Sequence, residues 1–253
     1  MTLTFLGTGT SQGVPVIGCG CEVCCSKSSY DKRLRTSALL KIGDIHILID
    51  PGPDLRQQFL IHHVNRMDAV LVTHEHKDHI GGLDDIRPIN FSMGSPIHIY
   101  GMRRALQVIE KDYDYAFQEF RYPGVPSFQL HPVYNDPFEI QGIEIIPIHV
   151  KHLSLPILGF RIGNFAYITD ANFIPQKEKN KLQNLHTLVI NALRHEEHYS
   201  HFCLSQALGI IHEIAPKYSY LTHISHEMGL YDEINPTLPD HVSLAYDGLK
   251  VEL

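Results

Sequence analysis

Basic residues are scarce in this sequence, and long apolar stretches are absent. The chain has 21 lysines and arginines against 28 aspartates and glutamates, which gives a formal net charge of −7 at pH 7. Such a balance disfavours charge-driven binding to nucleic acid or to an anionic membrane. No apolar run approaches the roughly 20 residues that a membrane-spanning helix needs. The sequence therefore predicts no membrane partner, and a nucleic-acid partner is not expected.

A secretory signal is also missing from the start of the chain. The segment from Met1 to Gly7 has neither a basic n-region nor a long apolar h-region. We therefore expect a cytoplasmic protein. Its 253 residues are enough to bury a full core and suit one domain spanning residues 1–253.

Cysteines are few and unevenly placed. Four of the five lie between Cys19 and Cys25, which is not the pattern of a disulfide framework; in a reducing compartment it indicates metal binding. The C-x-C-x-x-C spacing of Cys19, Cys21 and Cys24 offers three thiolates to a tetrahedral structural zinc in a loop near residues 18–25. We expect Cys25 to be excluded, because adjacent side chains point apart. A fourth ligand must come from elsewhere, and the alternative is a set of free thiols in a buried loop.

A glycine-rich loop runs from Gly7 to Gly13. It is not a dinucleotide-binding fingerprint, because Gln12 stands where the last glycine is required and no helical pattern follows. The loop is better interpreted as a tight turn close to the active site, with Ser11 and Gln12 as candidates for the pocket lining.

The most informative stretch runs from Val70 to Gly82. A β-branched run predicts a strand over Val70 to Thr73, and a helix is predicted over Ile80 to Arg87. The turn between them holds four ligand-type side chains within six residues, so a merely solvated turn is a poor explanation. Residues two apart in an extended segment point the same way, so two of these side chains can share one ion. The other two begin a helical turn and can face a second ion. These residues are His74 and His76 for the first ion, and Asp78 and His79 for the second.

The H-x-H-x-D-H pattern resembles the signature of the metallo-β-lactamase superfamily. The resemblance implies an α/β fold, namely a four-layer αβ/βα sandwich with a dinuclear metal site at one edge of two facing sheets. It also implies a role for Asp50, which ends an apolar strand and would accept a hydrogen bond from a ligand histidine. Asp54 is predicted to cap a helix over Leu55 to His62.

The rest of the ligand set follows from the same resemblance. The third histidine of the first ion is expected at His152, with His149 as the alternative. Asp170 ends another apolar strand and would bridge both ions, since an isolated buried carboxylate is costly. The late T-H-I-S-H segment would supply His223 to the second ion and His226 to the cysteines. His201 would face the scissile phosphate without binding metal.

Taken together, the three motifs resemble the phosphoribosyl 1,2-cyclic phosphate phosphodiesterases of the carbon-phosphorus lyase pathway. This resemblance implies two catalytic divalent metals, zinc or manganese, and one structural zinc. The metals would make hydroxide available at neutral pH to attack phosphorus, with Asp78 and His201 as catalytic residues. The expected partner is a small phosphodiester, for which Lys151, Arg161 or Arg194 would supply positive charge, and a homodimer is a further expectation left open.

Three other functions stay open at this point. A transfer-RNA 3′-processing endonuclease shares the metal motif, but no basic RNA-grasping arm is seen in this acidic chain. A thioesterase or lactamase of the same superfamily is the second, and a non-catalytic, metal-stabilised scaffold is the third. The aromatic stretch from Tyr113 to Pro126 offers either a cap on the pocket or packing between layers.

Overall fold

The alternating and β-branched runs of the sequence form two sheets of seven strands each. A computed structural model describes residues 1–120 and 124–253. Within these residues the strands are β1 Thr2–Gly7, β2 Ser37–Ile42, β3 Ile45–Ile49, β4 Ala69–Leu71, β5 Ile97–Gly101, β6 Phe128–Pro132, β7 Phe138–Ile140, β8 Ile143–His152, β9 Leu155–Ile162, β10 Phe165–Tyr167, β11 Thr187–Asn191, β12 Tyr218–Thr222, β13 Val242–Leu244 and β14 Lys250–Glu252.

Helices connect and flank these strands. The α-helices of the described residues are α1 Glu22–Cys25, α2 Leu55–His62, α3 Lys77–Ile80, α4 Arg87–Met93, α5 Arg103–Asp112, α6 Gln176–Asn180, α7 Leu204–Ile214 and α8 Tyr231–Ile234. Short 3₁₀ turns lie at Ser29–Asp31, Leu83–Ile86, Asp114–Ala116, His226–Met228 and Asn235–Thr237. In the described part of the chain, no helix is both long and apolar enough to cross a bilayer.

The two sheets share one plan of strand directions. The first has the order β14-β1-β2-β3-β4-β5-β6, and the second has the order β13-β12-β11-β10-β9-β8-β7. From β14 to β6 in the first sheet, three antiparallel pairings are followed by three parallel ones. The second sheet has the same sequence of pairings from β7 to β13. Parallel strands place their carboxyl ends at one edge of a sheet, so the loops that follow them can meet there.

Apolar side chains fill three layers between the elements. Phe5 and Phe160, which come from different sheets, are fully buried in the layer where the sheets face each other. Helices α2 and α5 cover the outer face of the first sheet through residues such as Phe59 and Ile109. Helix α7 covers the second sheet through residues such as Ile211. This is the four-layer αβ/βα sandwich that the sequence predicted.

Two local predictions need correction. The helix predicted over Ile80 to Arg87 is instead α3, a 3₁₀ turn and α4 in succession, because the glycines at 81 and 82 interrupt the chain. The predicted helix over Leu55 to His62 is confirmed, but the Asp54 side chain makes no capping hydrogen bond. It pairs with Arg35 instead, at 2.8 Å between Oδ1 and Nη1.

The aromatic stretch after α5 mainly packs against the core. Tyr113 is buried in the layer beneath α5, and Tyr115 and Phe117 pack against the same cluster. Phe120 is 96% exposed, and Tyr122 lies outside the described residues. The packing interpretation of this stretch is therefore confirmed for its first three aromatic residues.

Candidate metal centre and active site

The candidate site lies at the carboxyl ends of strands from both sheets. Asp50 follows β3, Asp170 lies three residues after β10, and His223 follows β12. All three have left-handed backbones, with φ values of 58°, 60° and 56°. Such conformations cost non-glycine residues energy and tend to occur at functional sites. The fold therefore turns these side chains inward where the two sheets meet.

One group of ligand-type atoms surrounds Asp170. Oδ2 of Asp170 lies 3.3 Å from His79 Nε2, and Oδ1 lies 3.2 Å from His223 Nδ1. Asp78 Oδ2 is 3.2 Å from the same nitrogen of His79. One candidate ligand atom from each of the four residues falls within 4.8 Å of all the others. The structure thus brings together the set predicted for the second catalytic ion.

The histidines predicted for the first ion meet on the other side of Asp170. His74 Nε2 lies 3.0 Å from His76 Nδ1 and 4.0 Å from Asp170 Oδ2. The ring of His152 lies 5.6 Å from that of His74 and 5.1 Å from that of His76, between centroids. His149 points away, with its Nε2 3.1 Å from the Tyr134 carbonyl. The structure therefore favours His152 over His149.

His152 is oriented by the backbone. Its Nδ1 donates to the carbonyls of Asp170 and Ser200, at 2.8 and 3.0 Å. Such a contact fixes the tautomer and leaves Nε2 with its lone pair. A metal ligand requires that lone pair.

The chemistry of the donor set fits divalent cations. His79 donates from Nδ1 to Asp50 Oδ2 at 2.7 Å, whereas its Nε2 is buried without a hydrogen-bond partner between two carboxylates. Buried polar atoms are rarely left in this state. A metal ion at this nitrogen would satisfy it together with Asp78 and Asp170.

The pKa shifts of the site residues favour binding of a cation. Burial opposes ionisation of Asp170, but His223 and His79 hold its pKa well below the usual range. Burial lowers the pKa of His223 to about 3 and holds that of His74 well below its ordinary value, so both imidazoles are neutral at pH 7. Burial also opposes the charge of His79, yet Asp170 and Asp78 raise its pKa. Positive charge at that nitrogen, from a proton or a metal, is therefore favoured.

The cysteine loop forms a separate group. His226 Nδ1 lies 3.6 Å from Cys19 Sγ and 3.3 Å from Cys21 Sγ, and Cys24 completes a set of atoms within 4.8 Å of one another. The backbone N–H of Cys24 donates to Cys21 Sγ, and together with His226 it lowers the pKa of Cys21 to about 6. Cys25 is exposed and lies outside the group. Three thiols and one imidazole are the donors of a closed structural zinc site.

His201 lies beside the carboxylate of Asp170. Its Nε2 is 3.3 Å from Asp170 Oδ2, and its Nδ1 is 2.9 Å from the Ser200 hydroxyl oxygen. The residue also belongs to a group of potential ligand atoms with His152 and Asp170. Its position suits contact with a substrate at the metals, and the loss or retention of metal in a variant distinguishes this role from ligation.

A cavity of about 350 Å³ opens over these groups. Its described lining contains neither lysine nor arginine, and it is formed by Thr10, Ser11, His76, Asp78, His152, Asp170, Leu193, His198, Tyr199, Ser200, His201 and His223. Ser11 lines it as predicted, whereas Gln12 is exposed and absent from the lining. Sequence reasoning did not single out His198, which also forms part of the wall. Its place three residues before His201 in one loop was the available signal.

The predicted cations lie elsewhere. Arg161 donates to the carbonyls of Gly163, Lys181 and Gln183. Arg194 pairs with Glu227, and Lys151 lies over the ring of Phe173. The expectation that one of these three cations would bind the substrate in the cavity is not supported, because their long side chains take other partners.

Comparison with known proteins identifies the class. Residues 46–224 match the beta-lactamase superfamily domain, and the chain belongs to this superfamily. This match defines the chain as a domain with a metallo-β-lactamase fold.

Particular relatives narrow the comparison. A crystal structure of a new diphosphatase from the PhnP family is 38% identical, with a TM-score of 0.93 over 100% of this chain and 97% of that one. Zn²⁺-bound PqqB from Methylobacterium extorquens shares the fold, at 19% identity and a TM-score of 0.81 over 100% of both chains.

A longer relative carries a different name. The chain is 42% identical to a Porphyromonas gingivalis protein named octanoyltransferase, and the match covers 99% of this chain but 51% of that protein. The chain thus spans about half the length of this relative.

Proposed function

We propose that the protein is a phosphodiesterase that opens small cyclic phosphodiesters, such as phosphoribosyl 1,2-cyclic phosphate, to monoesters. The observation that carries this proposal is the group that Asp170 forms with Asp78, His79 and His223 beneath one cavity. His74, His76 and His152 lie close to the same carboxylate, and His201 lies in the cavity wall. Dinuclear sites of this type suit in-line displacement at phosphorus. The likeness to a PhnP-family diphosphatase supports phosphoryl chemistry.

Two metals, zinc or manganese, would be held by residues that the structure brings together. His74, His76, His152 and Asp170 would hold one, and Asp78, His79, His223 and Asp170 the other. When bound, such ions supply hydroxide at neutral pH and stabilise phosphoryl charge. Cys19, Cys21, Cys24 and His226 would hold a structural zinc.

The remaining steps fall to two side chains of the cavity wall. Asp78 has a lowered pKa owing to His79, so its ionised carboxylate can orient an attacking water by accepting a hydrogen bond. As the new P–O bond forms, the bond to the leaving sugar oxygen breaks. His201 donates a proton to that oxygen, which would otherwise leave as an alkoxide.

The size of the cavity and the net charge of the whole chain support a small substrate. A volume of about 350 Å³ and a net charge of −7 favour a compact phosphodiester over a polyanionic RNA. The clustered thiols support a reducing, cytoplasmic setting. A homodimer remains part of the proposal without a described interface.

A second candidate is hydrolysis of an acyl thioester. The specific observation in its favour is the octanoyltransferase relative, which is 42% identical over 254 residues. That protein is about twice as long as this chain, and the half that does not align with this chain is also described by its name.

The decisive experiment assays purified, metal-loaded protein on four substrates. These are bis(p-nitrophenyl) phosphate, a 2′,3′-cyclic nucleotide, an octanoyl thioester and a precursor transfer RNA with a 3′ trailer. We expect hydrolysis of the first two, loss of activity after chelation and recovery when the metal returns. Faster cleavage of the thioester or of the RNA would overturn the proposal in favour of that class.

A further inference from the structure

The cavity lacks side chains that would neutralise a second phosphate on the substrate. Among its described lining residues the basic side chains are histidines, which face the carboxylates Asp78 and Asp170. Arg35, from the neighbouring loop, is engaged with Asp54 and the Ser11 carbonyl. Phosphomonoester groups are usually recognised by lysine or arginine. The part of the substrate beyond the scissile phosphate is therefore expected to be uncharged.

An aromatic surface stands at the mouth of this cavity. Tyr199 lines the cavity and is nevertheless 72% exposed. Its ring lies 4.3 Å from that of His198, between centroids, with an interplanar angle of 30°. At this separation the two rings pack on each other, so His198 covers one side of the Tyr199 ring. The exposed side of Tyr199 forms an aromatic platform beside the candidate metal ligands.

The platform is tied to the strand ends that carry those ligands. Asn172 Nδ2 donates to the Tyr199 carbonyl at 2.9 Å, while Asn172 Oδ1 accepts from the Leu153 N–H at 2.9 Å. Leu153 directly follows His152, and Asn172 lies two residues after Asp170. One amide thus links the loop of Tyr199 to both segments of the metal centre. Such prior ordering reduces the entropy lost when a ligand binds.

We propose that Tyr199 determines specificity by stacking against an uncharged aromatic group of the substrate, such as the base of a 2′,3′-cyclic nucleotide. This inference rests on the proposed phosphodiesterase function. Stacking on an aromatic side chain is tolerant of base identity, because every base presents a π-face. Within the proposed class it therefore ranks cyclic nucleotides above phosphoribosyl 1,2-cyclic phosphate, whose second phosphate meets no lysine or arginine in the described lining of the cavity.

The test compares two substrates with the same five-membered cyclic phosphate. 2′,3′-Cyclic AMP carries a base, and glycerol 1,2-cyclic phosphate does not. We expect Tyr199→Ala to lower kcat/KM for cyclic AMP by roughly 5- to 100-fold, mainly through KM, and to change the glycerol substrate by less than about twofold. Tyr199→Phe retains a ring and should retain most of the preference. A 5′-phosphate on the nucleotide should not raise kcat/KM.

The control is Tyr134→Ala, which removes a tyrosine that is 61% exposed away from the cavity; it should leave both substrates unaffected. Equal losses on the two substrates in Tyr199→Ala, or no loss on either, would overturn the stacking role while leaving the phosphodiesterase proposal intact. Failure of the unaltered enzyme to open either cyclic diester would overturn the proposed function and this inference with it.

Discussion

Asp50 accepts a hydrogen bond from His79, with 2.7 Å between Oδ2 and Nδ1. The same carboxylate accepts from the N–H and the hydroxyl of Thr73, at 2.8 and 2.7 Å. Asp50 therefore fixes both the tautomer of His79 and the turn that begins at His74. Through this contact Asp50 sets the direction of Nε2 of His79, the candidate metal-binding nitrogen.

We expect Asp50→Asn to weaken binding of the second catalytic metal by roughly 10- to 100-fold, because partners of ligand histidines commonly matter to this extent. The measurement is metal titration of the chelated protein followed by elemental analysis. Asp136→Asn changes an exposed carboxylate and should have no effect. Unchanged affinity in Asp50→Asn would show that His79 is oriented by its surroundings alone.

The ligands that lie close together in sequence could be predicted from the sequence. The way in which distant segments come together around them could not. His74, His76, Asp78 and His79 lie close together along the chain, so their spacing alone indicated a metal turn. The left-handed backbones of Asp50, Asp170 and His223 and the hydrogen bond between Thr36 and His223 depend on tertiary structure.

The positions of lysine and arginine side chains were the hardest to predict from the sequence. Lys151 follows the alternation of β8, so its side chain leaves the face that His152 occupies. Arg161 and Arg194 have enough reach to find carbonyl or carboxylate partners several residues away. Spacing in sequence does not decide among such partners, and the described lining of the cavity contains none of these three side chains.

Cys21→Ser should remove the structural zinc and lower thermal stability. A closed thiolate site contributes folding free energy directly, since the metal binds the folded chain. Elemental analysis should show one zinc fewer per chain, with a lower Tm. Cys25→Ser is the matched control, because Cys25 is exposed and outside the group. Unchanged zinc in Cys21→Ser would disprove the site.

Asp170 and His201 should differ in their effects. Asp170→Ala removes the carboxylate shared by both ligand groups, so metal content and activity should fall together. His201→Ala should keep the metals and lose about 10²- to 10⁴-fold in kcat, the range for a positioned acid. Metal content and rate are measured on the same preparations. If His201→Ala loses metal in proportion to activity, His201 is a ligand.

Gly82→Ala should disrupt the metal turn. A Cβ there would lie 2.0 Å from the carbonyl oxygen of Gly52, so the backbone would have to move. We expect a loss of about 3 kcal/mol in the free energy of unfolding, measured by urea denaturation. Gly209→Ala is the control, since its Cβ meets nothing within 4 Å in helix α7. That exchange should instead stabilise the protein by about 0.5 to 1 kcal/mol.

Asp247 should make stability depend on pH in mildly acidic solution. It accepts hydrogen bonds from the N–H and hydroxyl of Thr8 and from the N–H of Leu34. Burial nevertheless raises its pKa from 3.8 to about 6, so between these values the folded state holds a proton that the unfolded state has lost. The contribution of this group to the free energy of unfolding is therefore fully present below pH 3.8 and is lost as pH rises through about 6.

The measurement is urea unfolding of the native chain and of Asp247→Asn, which cannot titrate, with both proteins carrying the same metal content. The stability of the native chain relative to the variant should fall by about 1 kcal/mol between pH 5 and pH 7.5. The variant should also be less stable overall at neutral pH, because the side-chain NH2 of the asparagine replaces one carboxylate oxygen and must face a donor. A constant difference across this range would mean that Asp247 keeps an ordinary pKa, and that its three donors offset the cost of burial.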